Sequence, residues 1–208
     1  AGRQQGVWKR FHADGTVAEQ STYHYGELEG VTEAWYPSGA RQSRGEFRGG
    51  KQVGTLTQWD EAGHLAATTP FVDGLPEGME VEYHASGQVA SEVRWSAGVR
   101  SSAFAFYDEE GRRRTAGTHA DDAVTGELRQ FDEEGRLVSL EHYAHDVLEG
   151  AAFEYGADGA LRVEGAYRAG ERHGAWTYFA EDGTVERVET WVDGELQSED
   201  GPAITPVR

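Results

Sequence analysis

The sequence predicts an all-β protein, in which a single antiparallel sheet of β-hairpins forms an elongated, curved solenoid of eight 24-residue repeats. Three observations predict this class: glycine begins nearly every repeat, an aromatic residue follows five positions later, and a second glycine stands at position 9. The repeats start at residues 6, 30, 54, 78, 102, 126, 150 and 174. We assign residues 6–197 to this one domain and residues 198–208 to a C-terminal tail.

Two columns of aromatic residues define the repeat. Positions are numbered within each repeat, and the first residue of every repeat is position 0. Position 5 is aromatic in every repeat, from Phe11 to Phe179. Position 17 is aromatic in seven of the eight repeats, and the exception is His119. Position 0 is glycine except at Ser102. The repeat at 102–125 therefore departs most from the pattern, and we expect a bend or a loosened hairpin there.

Each repeat has the pattern of two strands joined by a glycine turn, as in Gly6–His12, Ala13–Thr16 and Thr16–Tyr23. A two-residue turn would place the two aromatic columns on opposite faces of the sheet. A three-residue loop with a glycine bulge would place positions 5, 11 and 17 on one face, because the bulge shifts the register by one residue. We adopt the bulged register, which gathers the apolar columns together and leaves positions 2 and 4 on the opposite face.

The chain is strongly acidic, with a net charge of −18 over 208 residues. This charge opposes binding to nucleic acid phosphates and to anionic membranes, so neither partner is expected. It would attract a basic partner protein and speed the encounter. Solubility alone is the other interpretation of the charge.

Cysteine is absent from the chain, which excludes disulfides and thiolate metal ligands. No apolar run approaches the length of a membrane span. The chain starts at Ala1 without methionine, so we expect that an upstream segment was cleaved or trimmed. The compartment stays open between the cytoplasm, which is slightly favoured, and export as a periplasmic protein or lipoprotein.

The residues give no sign of a catalytic, cofactor or metal site. His142 and His145 form an HxxH pair, but in a strand this spacing points the two rings to opposite faces. No serine–histidine–aspartate order, phosphate-binding loop or dinucleotide-binding context is present. We therefore expect no enzyme activity, no cofactor and no metal.

Acidic residues cluster at several of the predicted turn tips, which would stack along one edge of the sheet. This edge would either contact a basic partner or serve solubility alone. The acidic candidates for partner contact are Asp108, Glu109, Glu110, Asp132, Glu133 and Glu134.

Large aromatic residues at positions 2 and 4 are the second set of candidates, because these positions vary from one repeat to the next and are predicted to lie opposite the aromatic columns. Tryptophan and tyrosine are favoured anchors of protein interfaces. The aromatic candidates are Trp8, Phe104, Phe106, Trp176 and Tyr178. For Trp8 and Trp176, in the terminal repeats, capping of the solenoid ends is the alternative role.

The repeat resembles MORN-type repeats, and most of all the longer bacterial variant known as the YwqK family antitoxin. The segment Gly174-Ala-Trp-Thr-Tyr-Phe179, followed by Asp182-Gly183 and Trp191-Val-Asp-Gly194, carries the clearest match. The resemblance implies a β-hairpin repeat used for protein or membrane contacts, with any catalysis residing in a separate attached domain. The antitoxin variant implies neutralisation of a toxin by binding it.

The sequence therefore favours a non-catalytic repeat scaffold that binds and occludes a basic partner protein, as an antitoxin or immunity protein would. The alternative is a structural or self-associating scaffold of the cell envelope. Acidic residues in the last predicted strand, near Glu186–Asp193, oppose end-to-end pairing and place this alternative second. We expect a monomer or a weak homodimer.

Overall fold

A computed structural model describes residues 2–201 of the chain, and within that range it contains twenty strands and no helix. The predicted class, an all-β antiparallel hairpin repeat, is confirmed. The chain divides into two compact units within the repeat that starts at Ser102. One unit holds the described residues up to Ser102 together with Tyr107–Gly111, and the other holds Ala103–Phe106 and the described residues from Arg112.

The first unit contains ten complete strands. They are β1 (Gly6–Phe11), β2 (Val17–His24), β3 (Glu27–Leu28), β4 (Gly30–Trp35), β5 (Arg41–Arg48), β6 (Lys51–Trp59), β7 (Leu65–Val72), β8 (Leu75–Pro76), β9 (Gly78–Tyr83) and β10 (Val89–Ser96). Strand β11 (Val99–Tyr107) contributes residues to both units.

The second unit contains the remaining nine strands. They are β12 (Arg113–Ala120), β13 (Ala123–Val124), β14 (Gly126–Phe131), β15 (Leu137–Ala144), β16 (Val147–Tyr155), β17 (Leu161–Arg168), β18 (Glu171–Phe179), β19 (Val185–Val192) and β20 (Glu195–Asp200). Strand β20 extends into the segment assigned to the tail, and residues 202–208 of that segment lie outside the described residues.

The hairpin loop in the repeats starting at residues 6, 30, 54, 78, 126, 150 and 174 is the predicted three-residue loop with a glycine bulge. In the first repeat, the amide of Gly15 donates to the carbonyl of His12 at 3.0 Å, and the amide of His12 donates to the carbonyl of Thr16 at 2.8 Å. Gly15 has a φ of 88°, the left-handed conformation that this loop requires. The same hydrogen-bond pair recurs at Tyr36 and Gly39 in the second repeat.

A second bulge, not predicted from the sequence, follows the loop at position 12. Arg10 pairs with Glu19, whereas the next residue, Phe11, pairs with Val17, so that Ala18 is an extra residue in β2. The same shift occurs between positions 4 and 5 in seven repeats, those starting at residues 6, 30, 54, 78, 126, 150 and 174. Each such bulge reverses the alternation of side chains in the second strand.

This second bulge makes the predicted assignment of faces wrong. Positions 2, 4, 13, 15 and 17 share one surface of the sheet, which we call face A, and positions 3, 5, 11 and 14 share the other, face B. In the first repeat Trp8 pairs with Ser21 and Gly6 pairs with Tyr23, which places the position-17 ring beside Trp8. The two aromatic columns therefore lie on opposite faces, and positions 2 and 4 share a face with the second column.

Two-residue turns connect successive repeats, and both of their residues have positive φ. The turn between β2 and β3 consists of Tyr25 (φ 51°) and Gly26 (φ 89°), between the paired residues His24 and Glu27. Such turns match the twist of the strands they connect. The first turn residue is not glycine in most repeats, and Ala97 and Ala169 adopt the left-handed conformation without a polar side chain.

The repeat at 102–125 has strands and turns at the same positions as the others. Ser102 has a φ of 73°, like the glycines that begin the other repeats, and Asp121 and Asp122 form its two-residue turn. The bend or loosened hairpin expected in this repeat stays a prediction.

The buried core is small, because each unit is built from single-layer hairpins. In the second unit it centres on Ala152, Val163 and Trp176, all on face A, with Tyr167, Tyr178 and Trp191 packed against them. On face A of the first unit, Ser21 is buried and pairs with Trp8.

Candidate functional site: the aromatic and acidic face A

Face A carries all five aromatic candidates, but the structure gives them very different exposures. Trp8 and Phe106 are 48% and 42% exposed, whereas Phe104 is 5% and Trp176 is 1% exposed. Tyr178 is half-buried. Contact with a partner is therefore sterically open to Trp8 and Phe106, while the rings of Phe104 and Trp176 are enclosed by their own unit.

Trp176 is buried because neighbouring strands supply small and flat surfaces around it. Gly165 on β17 leaves room for the indole, since a Cβ built there would lie 2.3 Å from the ring. The ring of Tyr167 meets the indole edge-on, with centroids 5.1 Å apart. The guanidinium of Arg172 lies 4.1 Å from the ring centroid, and the indole nitrogen donates to the carbonyl of Ala166 at 3.2 Å.

Phe104 is also enclosed against a glycine at position 15, which here belongs to its own repeat. A Cβ built on Gly117 would lie 2.8 Å from the Phe104 ring and 3.0 Å from Leu128. The ring also stacks obliquely on His119, at 4.3 Å between centroids, and its neighbour Phe106 lies 5.6 Å away. Position 15 is glycine where a large residue at position 2 of the next repeat covers it, as Leu128 covers Gly117 and Trp176 covers Gly165. This pairing was missed from the sequence although both columns are visible in the repeat.

The buried carboxylate of Glu189 contacts four side chains on face A or next to it in the last repeat. Glu189 accepts hydrogen bonds from the hydroxyl of Tyr178 at 2.9 Å and from the indole of Trp191 at 3.0 Å. Arg187 donates to it at 3.1 Å, and Arg172 lies 3.5 Å away. Burial raises the pKa of Glu189, but these donors outweigh burial and hold the pKa below its ordinary value. The carboxylate is therefore charged and fully engaged, and its role is to fix Tyr178 and the arginines.

Face A of the first unit is acidic in the repeat that starts at Gly78. Glu80 accepts a hydrogen bond from the indole of Trp95, and Glu82 accepts one from the hydroxyl of Ser91 at 2.8 Å. Burial raises the pKa of Glu80 despite the indole bond, and the nearby charge of Glu82 raises it further. Negative charge on face A is thus held close to an aromatic ring.

The acidic candidates lie at the hairpin loops, where part of their charge stabilises the loops themselves. Asp132 accepts hydrogen bonds from the amides of Glu134 and Arg136 and from the Arg136 side chain at 2.7 Å. Asp108 accepts a hydrogen bond from the amide of Glu110 at 3.1 Å. Burial raises the pKa of Asp132, but the hydrogen bonds from Arg136 outweigh it and leave the pKa low. Asp108 and Asp132 therefore have a structural role in addition to their charge.

The other four acids point outward. Glu109, Glu110, Glu133 and Glu134 are exposed, and Glu134 forms an ion pair with Arg136 at 2.7 Å. Exposed pairs of this kind contribute little to stability. These side chains place negative charge at the hairpin loops.

A further acidic column, also missed from the sequence, secures the turns between repeats. Glu29, Glu77 and Glu149 stand at position 23, and each accepts a hydrogen bond from the backbone amide of a residue twenty positions later. Gln5 stands at the equivalent place before the first repeat, and its side-chain oxygen accepts a hydrogen bond from the amide of Tyr25 at 3.0 Å. The spacing of these residues in the sequence is the signal that could have revealed the column.

Among residues 2–201, no group of three or more histidine or acidic side chains is placed to hold a metal ion. No helix long and apolar enough to cross a membrane occurs in the same range.

Comparison with known proteins identifies the first hairpin. A family model described as a MORN repeat variant matches residues 4–25. The resemblance to MORN-type repeats is thus confirmed for this segment. That segment spans β1, β2 and the first residue of the turn after them, and the other seven repeats of the chain share its spacing. No curated protein matches the chain.

Two solved structures, described as crystal structures of TcdB2-TccC3 and of TcdB2-TccC3-Cdc42, show a weak likeness. Both are 12% identical to the chain, over 91% and 88% of its length, with TM-scores of 0.22 and 0.18. The chain spans only 14% and 13% of the length of those chains. TM-scores this low do not define a shared fold.

Proposed function

We propose that this protein is a non-catalytic repeat scaffold that binds a partner protein on face A and at the acidic loop edge. The observation that carries the proposal is the contrast between a constant framework and variable positions on it. The loops, bulges and turns recur from repeat to repeat, whereas positions 2 and 4 change from Trp8 and Arg10 to Glu80 and Glu82 and then to Phe104 and Phe106. A constant framework with variable side chains is the arrangement that repeat proteins use for recognition.

The exposed aromatics supply the apolar part of the proposed contact. Trp8 stands beside the half-buried ring of Tyr23 and Phe106 beside the buried ring of Phe104, so a partner would cover each of them at small cost in side-chain entropy. Aromatic side chains in such positions commonly provide most of the binding energy of an interface.

The charge of the chain favours a basic partner. A net charge of −18 and the exposed glutamates Glu109, Glu110, Glu133 and Glu134 would steer a basic protein towards the loop edge. In the antitoxin form of the proposal, occlusion of a basic toxin by this surface neutralises it.

The experiment is affinity capture with the purified chain as bait, followed by purification of the captured protein and a direct titration. Phe106→Ala is expected to weaken the measured affinity about tenfold, the effect of losing one central aromatic contact. Tyr25→Ala is the matched control, because Tyr25 is an exposed aromatic in a turn between repeats, away from positions 2 and 4.

The charge component is tested by repeating the titration at rising salt, which should slow association. Equal losses for the two variants, or the absence of any saturable protein partner, would contradict the proposal.

A further inference from the structure

The second unit carries a continuous group of apolar side chains on face B, in the neighbouring strands β14 to β17. In the first row of this group, Leu140 and Phe153 are paired with each other across β15 and β16. The second row, at positions 5 and 11, consists of Phe131, Leu137, Tyr155 and Leu161. All six side chains are half-buried, so part of each is open to solvent. We call these six side chains the apolar patch.

The hairpins themselves do not require apolar residues in the first row. In the first unit, Arg44 stands at the repeat position of Leu140, and it pairs with Thr57 across β5 and β6. Thr57 stands at the repeat position of Phe153. Because the first unit forms the same strands and bulges with polar residues at these places, Leu140 and Phe153 are not needed for the hairpins. A contiguous apolar group that a fold leaves partly exposed marks contact with another molecule.

Opposite charges lie at the two ends of the first row. Arg129 on β14 pairs with Leu140, and Glu164 on β17 pairs with Phe153. Arg129 is exposed and contacts Glu127 of its own strand. Glu164 is half-buried, and within the described part of the chain its carboxylate has no ion pair or hydrogen bond. A carboxylate that is partly withdrawn from water is stabilised by a cationic partner.

A second copy of the same face complements this row. A twofold axis parallel to the strands, between β15 and β16, places β14 over β17 of the second copy and β15 over its β16. Leu140 then meets Phe153 of the second copy, and Arg129 meets Glu164 of the second copy. Each of these contacts occurs twice, because the axis repeats it. The side chains of the second row meet one another in the same way.

We propose that the apolar patch is a self-association surface, through which two copies of this protein pack sheet against sheet as a twofold dimer. The two sheets would lie about 10 Å apart, with the side chains of face B between them. Face A of the second unit stays open in this dimer. The inference therefore goes beyond the proposed function and does not rest on it.

The net charge sets the strength of the proposed dimer. Each copy carries a charge of −18, so the two copies repel each other at long range. The apolar contact and the paired Arg129 and Glu164 act at short range against this repulsion. Raising the salt concentration from about 0.05 M to about 0.5 M should therefore strengthen the dimer, because salt screens the repulsion.

The first test is sedimentation velocity of the purified chain from about 1 μM to about 500 μM, which should show a reversible monomer–dimer equilibrium. Phe153→Thr gives the patch the residue that the first unit has at this place, and it should weaken the dimer at least tenfold. Phe106→Thr makes the same change at an exposed aromatic of face A and should leave the dimer unchanged. Circular dichroism checks that each variant is folded.

The second test is a charge exchange, which examines the twofold arrangement itself. Arg129→Glu and Glu164→Arg should each weaken the dimer about tenfold, and the double variant should restore it. Within one chain the two residues are three strands apart, about 14 Å, so direct contact in a monomer cannot explain such a rescue.

Three results would overturn the inference. They are a chain that stays monomeric at about 500 μM, a dimer of Phe153→Thr as strong as that of the wild type, and a double variant that does not recover. Loss of a captured partner in Phe153→Thr, with no dimer in the wild type, would assign the patch to that other protein instead. If Phe153→Thr is monomeric and still binds the captured partner, self-association and partner binding use separate surfaces, as inferred.

Discussion

The indole of Trp176 lies directly on the backbone of Gly165, so closely that a Cβ at residue 165 would stand 2.3 Å from the ring. The ring cannot move away, because Tyr167 and Arg172 enclose it and its nitrogen donates to Ala166. A glycine on one strand and a tryptophan on the next therefore form one packing unit between two repeats.

Gly165→Ala should lower the free energy of unfolding of the second unit by about 2–3 kcal/mol, since the added methyl forces the indole out of its site. Gly45→Ala is the matched control at the same repeat position. There the added Cβ would meet the flexible amide end of Gln52 at 3.0 Å, so the loss should stay below about 1 kcal/mol. Urea unfolding of both variants measures the difference, and equal losses would refute the packing argument.

Replacement of the alanine in a turn between repeats should stabilise the protein. Ala169 has a φ of 49° and precedes Gly170, and alanine in this left-handed conformation is strained. Ala169→Asn creates the Asn-Gly pair that such turns prefer and should raise the free energy of unfolding by about 0.5–1 kcal/mol. Ala157→Asn, in an exposed hairpin loop where φ is not positive, is the control and should have no effect. A decrease in thermal midpoint for Ala169→Asn would contradict this account.

The carboxylate of Glu149 should protect the same turn from opening. It accepts a hydrogen bond from the amide of Ala169 at 2.8 Å. Glu149→Ala should speed hydrogen exchange of that amide about fivefold, because the lost bond is worth on the order of 1 kcal/mol. Glu149→Gln should keep most of the protection, as Gln5 makes the equivalent bond to the amide of Tyr25. If both variants exchange like the wild type, the column at position 23 has no capping role.

The hairpin loops should make the fold sensitive to acid. Hydrogen bonds from Thr16 and Thr184 lower the pKa of Asp14 and Asp182 below the ordinary value of 3.8. A carboxylate whose pKa is lower in the folded state stabilises the fold above its unfolded pKa, and this contribution disappears as the pH falls through the folded pKa. The free energy of unfolding should therefore decrease below about pH 4.

Urea unfolding between pH 7 and pH 3 measures the acid effect. Glu80 acts in the opposite direction, because burial raises its pKa in the folded state. Its contribution to the free energy of unfolding is lost as the pH rises through that folded pKa. The double variant Asp14→Asn and Asp182→Asn keeps both loops polar but removes the titrating groups. Its stability should depend less on pH than that of the wild type below about pH 4, and an identical dependence would show that other groups cause the loss.

The period of 24 residues determined most of the local structure. Glycine at positions 0 and 9 marks the bulges and loops because those sites have positive φ, as at Gly15 and Gly150. The turns between repeats follow the same period, including the turn at Asp121 and Asp122, where no glycine is present. These features depend on a few neighbouring residues, so the sequence alone could predict them.

Only the tertiary structure decided which side chains share a face and which are covered. One extra residue at Ala18 reverses the alternation of the second strand, and alanine at a bulge has no distinctive sequence signal. Trp8 and Trp176 have the same place in the repeat and opposite exposures, because burial depends on the strand alongside and not on the residue itself. The sequence thus determined the hairpins and their turns, whereas contacts between strands decided the candidate site.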